Sequence, residues 1–200
     1  MPRPRALNDD DLLDRARDIF WRQGYAATSL RDLTAATGLS TAALYNRFGD
    51  KAGLFHEVLR RYADTGLSAE RLPRLAAMPD PCAAITGFFA ELLALSETTD
   101  TPSGCLLINT VLDGGAEAPE TRLLVRERLG EVEAFLRARL EQAKSAGLLP
   151  EGVEPPIAVE GLFGAVLALR VLARLDPDPV RFRRLIASAL APIGLSLPAD

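Results

Sequence analysis

Cysteine, histidine and tryptophan are almost missing from this 200-residue chain, which holds two, one and one of them. Cys82 and Cys105 stand 23 residues apart, outside any CxxC or Cys/His spacing. That excludes a disulfide framework and a zinc site, no metal or cofactor is expected, and a reducing compartment is the simplest setting. With His56 as the single histidine, most acid–base chemistry built on imidazole is excluded as well. No GxSxG, HExxH, glycine-rich phosphate loop or carboxylate cluster is present, so no catalytic residue is expected and the chain does not read as an enzyme. Long apolar runs are also lacking. The longest, about Leu162 to Leu169, is far short of the roughly 18 residues that cross a bilayer. The start, Met1-Pro2-Arg3-Pro4-Arg5 before Asp9-Asp10-Asp11, has no apolar core and does not read as a signal peptide. A soluble cytoplasmic protein is expected.

Hydrophobic residues make up 48% and charged residues 25%, which excludes disorder and fibrous repeats. The net charge of −4 argues against a generally basic coat, yet it is unevenly spread. Residues 1–61 carry ten Lys/Arg against eight Asp/Glu, and residues 62–200 carry thirteen against nineteen. The asymmetry permits a nucleic-acid contact near the N-terminus without establishing one.

Strand signals are scarce, while helical spacing recurs from end to end, so an all-α fold is expected. Leu12, Ala16, Ile19 and Phe20 form a first stripe; Leu30, Leu33 and Thr37 a second; Leu44 and Phe48 a third; Leu54, Phe55, Val58, Leu59 and Tyr62 a fourth. Pro73, Pro79 and Pro81 then mark a loose connection over 66–81. Helices are expected over 82–98, 103–114, 119–147, 156–175 and 178–195. Composition alone would allow a buried strand from Cys105 to Leu112, but nothing nearby offers it a partner. Segment 156–175 is apolar nearly all round and must be covered on all sides. Together with 178–195 it reads as half of a four-helix homodimer interface, the other reading being a monomer core. Two domains are expected, 1–62 and 63–200.

Residues 28–51 carry the most specific pattern. Ser29 and Asp32 make an S-x-x-D capping box, Gly38 supplies a left-handed turn, and Ser40 caps a new helix two residues later. Two short helices joined by such a turn make a helix-turn-helix. In the second, Leu44 and Phe48 point inward with Leu33 and Ile19, leaving Thr41, Ala42, Tyr45 and Asn46 for solvent. Small residues at its N-terminal end permit close approach to base edges in a major groove. Tyr45 suits a phosphate or a thymine methyl, Asn46 a base edge or a phosphate, and Lys51, Arg47 and Arg31 the backbone charge.

Gly24-Tyr25-x-x-Thr28-Ser29, followed by Leu39-Ser40-x-x-x-Leu44-Tyr45-x-x-Phe48-x-x-Lys51-x-x-Leu54, resembles the N-terminal domain of the TetR (tetracycline-repressor-like) transcriptional regulators over roughly residues 9–62. The resemblance implies an all-helical homodimer that binds a palindromic operator on double-stranded DNA, with a divergent C-terminal half that binds a small-molecule effector. It places Ser29, Thr41, Ala42, Tyr45, Asn46 and Lys51 at DNA-contact positions. Ala42 stands where many members have Gly, and Asn46-Arg47 replaces a commoner Tyr-His pair, which should alter the bases read. A repressor released by its effector is expected. The competing class is a helical interaction module that kept the fold and lost DNA binding.

Segment 103–112 is similar to a Gly-Cys-Leu-x-x-Asn stretch in one subgroup of that family, some of whose members respond to electrophiles or unsaturated molecules. Cys105 is thereby either a pocket thiol that senses such a molecule or a small buried hydrophobe. Asn109 is a candidate polar group in an apolar cavity. Arg170 is either an anion anchor or half of a buried pair with Glu160 or Asp176. Phe88 and Phe163 are core residues that can also wall a pocket. Cys82, at a helix start, is a candidate for a lowered pKa.

Overall fold

The computed structural model describes residues 8–65, 67–97 and 104–198, the side chains of residues 67, 68 and 97 excepted. The opening Met1 to Arg5 and the expected helix ends at Thr98 and Ser103 lie outside the described residues. Within them the chain is helical and no strand occurs. The order is α1 (Asp9–Gln23), α2 (Leu30–Thr37), α3 (Thr41–Phe48), α4 (Lys51–Thr65), α5 (Leu67–Ala76), α6 (Pro81–Glu97), α7 (Leu106–Leu112), α8 (Pro119–Ser145), α9 (Pro155–Leu175) and α10 (Pro179–Leu190), closed by a 3-10 turn over Ala191–Ile193.

The four N-terminal helices stand where their stripes place them. Asn8 caps α1 by accepting from the Asp11 amide at 2.7 Å, and Asp9, Asp10 and Asp11 line its first turn, opposite in sign to the helix dipole. Leu12, Ala16 and Phe20 of α1 pack with Leu33, Leu44, Leu54, Phe55, Val58 and Leu59. Ile19 departs from expectation: it is half-buried and stands outside that cluster. Leu106, Leu107 and Val125 enter the same cluster from α7 and α8, so the N-terminal part shares a seam with the C-terminal helices.

The expected loose connection over 66–81 is largely a helix. α5 runs through Pro73 because Leu72 and Leu75, 7% and 1% exposed, face α6 and α8. Burial of those leucines outweighs one missing backbone bond near the helix end. Pro81 takes the first position of α6, where a missing N–H costs nothing, and the Asp80 carboxylate accepts from the Cys82 and Ala83 amides at 2.8 and 3.1 Å. The stretch that composition alone allowed as a strand is α7.

A second cluster holds Phe88 and Phe89 of α6, Phe135 and Leu136 of α8, Leu162 and Val166 of α9, and Phe182 and Ile186 of α10. At 1.5 Å per residue the 27-residue α8 is roughly 40 Å long and spans both clusters. By length and composition α9 can cross a bilayer, with mean hydropathy 1.8 over its best window. A reading limited to unbroken apolar runs misses this because Arg170 interrupts the helix. Val159, Leu162, Val166 and Leu169 are nevertheless packed inside the protein, which makes α9 a core helix. Its remaining face is open: Ile157, Gly161, Gly164, Val171 and Leu175 are exposed at helical spacing, and Val180 of α10 is exposed as well.

Candidate nucleic-acid interface and effector cavity

Reciprocal bonds fix the start of α2. The Ser29 amide donates to Asp32 Oδ2 at 2.9 Å, and the Asp32 amide donates to Ser29 Oγ at 3.2 Å. Hydrogen bonds from the Ser29 hydroxyl and amide hold the Asp32 carboxyl below its ordinary pKa. At Gly38 the chain turns left-handed, with φ 71°, and its amide closes α2 on Thr34 O at 2.9 Å. Ser40 Oγ then accepts from the Ala43 amide at 3.2 Å, starting α3 after a three-residue turn.

Leu44 is the buried anchor of α3, 3% exposed, and Phe48 is half-buried behind it. Thr41, Ala42, Tyr45, Asn46 and Arg47 are all exposed, so one face of a two-turn helix is open and begins with small side chains. Arg31 is exposed on α2. Three of the expected DNA-contact residues already have partners. The Ser29 hydroxyl donates to Asp32 Oδ2 at 2.6 Å within its cap. Arg47 is paired with Asp9, and its guanidinium carbon lies 5.8 Å from the centre of the Phe48 ring. Lys51 Nζ donates to Thr28 O at 2.7 Å and lies 4.5 Å from the centre of the Tyr25 ring, pinning the α1–α2 loop to the start of α4; its burial lowers its pKa.

Polar contacts join this module to the helices behind it. Arg61 of α4 donates to Asp14 at 3.1 and 3.0 Å and pairs with Asp10 at 2.8 Å, and the Arg61 bond holds the Asp14 carboxyl below its ordinary pKa. Arg128 of α8 reaches Asp64 at 2.6 Å, and His56 Nδ1 lies 3.4 Å from Thr121 Oγ1. Asp113, just after α7, accepts from the Tyr25 amide at 3.0 Å. From α9, Arg174 donates to Trp21 O at 3.0 Å. The Trp21 and Tyr62 rings meet edge-on at 5.0 Å.

Tyr62 opens onto a cavity of about 70 Å³ between α4, α5, α6, α7, α8 and α9, walled chiefly by Ala63, Leu72, Phe88, Leu92, Val132 and Val166. By the measure of about one water per 10–15 Å³ it holds roughly five waters. Of the five expected effector residues, Phe88, Cys105 and Arg170 are in its wall. Phe163 is not: it lies two helical turns before Arg170, about 10 Å along α9, and packs against the C-terminal cluster. Asn109 is buried on α7 outside that wall, its amide without a partner among the described residues and its Oδ1 towards Gly104. Gly104 is needed there, because a Cβ would stand 2.9 Å from Arg170 O.

Tyr62 escapes a sequence reading because it continues the apolar stripe of α4. Its hydroxyl donates to Cys105 Sγ, a long 3.8 Å contact, and also bonds the Leu106 backbone. Burial, reinforced by the neighbouring Cys105, drives the phenol pKa far up against the opposing charge of Arg170. Neither expected partner of Arg170 meets it: Asp176 lies 3.7 Å from Arg181, and Glu160 is exposed. Cys82 also departs from expectation, since burial and then the Asp80 charge raise its thiol pKa.

An open recognition helix on a capped helix-turn-helix, joined to a helical half with a cavity, defines a DNA-binding transcriptional regulator. Residues 12–58 match the family described as "Bacterial regulatory proteins, tetR family", and residues 81–189 match "Tetracyclin repressor-like, C-terminal domain". The chain belongs to the TetR family, whose members act on DNA as dimers and answer to small-molecule effectors. It is 30% identical over 172 residues to the HTH-type transcriptional repressor ComR of Escherichia coli (strain K12), covering 86% of this chain and 82% of that one. A cysteine mutant of the TetR family regulator CifR, solved with a 26-base-pair operator duplex, is 28% identical with a TM-score of 0.79, over 94% of this chain and 98% of that one. The TetR family regulator PfmR of Thermus thermophilus is 28% identical with a TM-score of 0.70, over 97% and 99%.

Proposed function

We propose that this protein is a repressor whose grip on a palindromic operator is gated by a small molecule in the cavity beneath α4. The observation that carries the DNA half is α3, with Thr41, Ala42, Tyr45 and Asn46 exposed in a row beside a buried Leu44. Thr41 and Ala42 let the helix sit close to base edges, Asn46 reads one, and Tyr45 packs on a phosphate or thymine methyl. Arg31 and Arg47 contact phosphates, Arg47 by exchanging Asp9 for the backbone. One N–H of Lys51 is used by Thr28, and the others remain for a phosphate. With its hydroxyl inside the cap, Ser29 acts by aiming the start of α2 at the backbone.

Two copies pair through the open stripe of α9 and α10, presenting their α3 helices about 34–36 Å apart, one turn of duplex. Residues 1–62 form the DNA unit and 63–200 the effector and dimer unit, with α4 as the lever between them. The effector, held by Phe88, Cys105 and Arg170, shifts the dimer towards a spacing that misses the groove, only as far as its affinities for the two states differ. The chemistry is binding alone, with no catalysis, and the setting is the cytoplasm, where the DNA is.

Selection of bound duplexes from a random pool at near-physiological salt tests this reading. Enrichment of one palindrome with half-sites about 10 base pairs apart is expected. Recovery of nothing above background would contradict it.

A further inference from the structure

Arg170 is 7% exposed in the middle of an apolar helix, in the wall of the cavity. Among the described residues no hydrogen bond or ion pair reaches its guanidinium. A buried charge without a partner is costly, and natural proteins keep one where something compensates it. No acid among the described residues does so here. Asp176 faces Arg181, Asp64 and Glu131 are held by Arg128, and Glu160 is exposed. Beside it the Tyr62 hydroxyl donates to Cys105 Sγ at a long 3.8 Å and also bonds the Leu106 backbone, and its raised pKa keeps it protonated, a donor, throughout the physiological range.

A guanidinium without a partner among the described residues and a weakly bonded phenol therefore line one small cavity whose remaining wall, apart from Cys105 and the already paired Arg128, is hydrocarbon. We propose that the cavity binds a short-chain carboxylate, with one carboxylate oxygen on Arg170 and the other shared with the Tyr62 hydroxyl, and with the alkyl body against Phe88, Leu92 and Val166. The proposal rests on the effector reading of the cavity and names the chemical class that reading leaves open. One uncompensated guanidinium balances one negative charge; a phosphate dianion would need a second, and Arg128 is already neutralised by Asp64 and Glu131. A volume near 70 Å³ suits a short alkyl body. The geometry also supplies a route to the DNA module, because Tyr62 touches Trp21 of α1 and Arg174, one turn beyond Arg170, holds the Trp21 carbonyl.

The test uses the full chain and two matched probes, isobutyrate and its uncharged isostere isobutyramide, with binding read by calorimetry and thermal shift. Isobutyrate is expected to bind at least ~30-fold more tightly than the amide, the worth of a charge-assisted bond in a dry site. Arg170→Met is expected to remove that preference while the ligand-free Tm holds or rises, since an uncompensated charge is replaced by a similar apolar chain. Tyr62→Phe is expected to weaken isobutyrate roughly five- to tenfold and leave the amide alone. A fall in ligand-free Tm with the preference intact in Arg170→Met would make Arg170 structural and overturn the proposal. Measuring affinity for the selected duplex under each probe separates the two readings. Amide binding that loosens DNA, with no carboxylate preference, sinks the carboxylate and keeps the effector cavity. Carboxylate binding that leaves DNA affinity untouched supports the carboxylate and sinks the gating. Binding of neither probe at millimolar concentration overturns both.

Discussion

Tyr62 shows how one side chain can be plain in sequence and decisive in the fold. Its spacing with Leu54, Phe55, Val58 and Leu59 announces a buried face of α4, which it has, but nothing in that spacing says that its hydroxyl will meet a thiol and share a cavity with a guanidinium. Its folded pKa is raised, chiefly by burial. The folded state therefore keeps a proton that the unfolded chain releases, so this contribution is intact below about pH 10 and is lost as pH rises further. Tyr62→Phe should flatten the alkaline fall of Tm between pH 9 and 11 relative to the parent; an unchanged slope would mean the phenol is not buried. At the DNA face, Asn46→Ala should relax base preference at one operator position at a cost of about 1–3 kcal/mol. Lys51→Ala should weaken all duplexes alike, lower the salt slope by about one, and also lower Tm, because the Thr28 and Tyr25 contacts go with it. Competition binding on the selected duplex and its single-base variants, repeated across salt, distinguishes these; the reverse pattern would exchange the roles.

Elements differ in how much their sequence declares. α2 and α3 are legible to the residue because caps and turns are local: the Ser29–Asp32 box, Gly38 and Ser40 each act within four positions. Removing one such cap, Ser29→Ala, should cost about 1 kcal/mol, or about 2–4 °C of Tm in a chain of this size, measured by calorimetry. α5 is the opposite case. Pro73 reads as a breaker, and only the tertiary burial of Leu72 and Leu75 keeps that stretch helical. The surroundings of Arg170 and the placement of Phe163 are likewise hidden in the sequence, because both depend on how six separate helices close around one cavity. The open stripe of α9 is legible as unpartnered small and apolar residues. Gly164→Arg should separate the dimer and abolish specific DNA binding while leaving the helical content, with sedimentation and circular dichroism as the readouts. A dimer that survives this change would move the interface elsewhere.

Across the whole molecule, the described contacts make α4 a shared part rather than a linker. Arg61 ties it to α1, Asp64 and His56 tie it to α8, and Tyr62 forms the cavity wall. A ligand that repositions Tyr62 acts on the helix to which α3 is packed, and linkage requires DNA to oppose that ligand by the same factor. All of this presumes that two α3 helices read one face of the duplex at fixed separation. The most direct test takes the selected palindrome and inserts five base pairs between its half-sites, turning them about half a helical turn apart. Specific affinity should fall to the level of a random duplex, and an insertion of about ten base pairs should restore part of it. Equal affinity for all three spacings would contradict the paired-helix account at its centre.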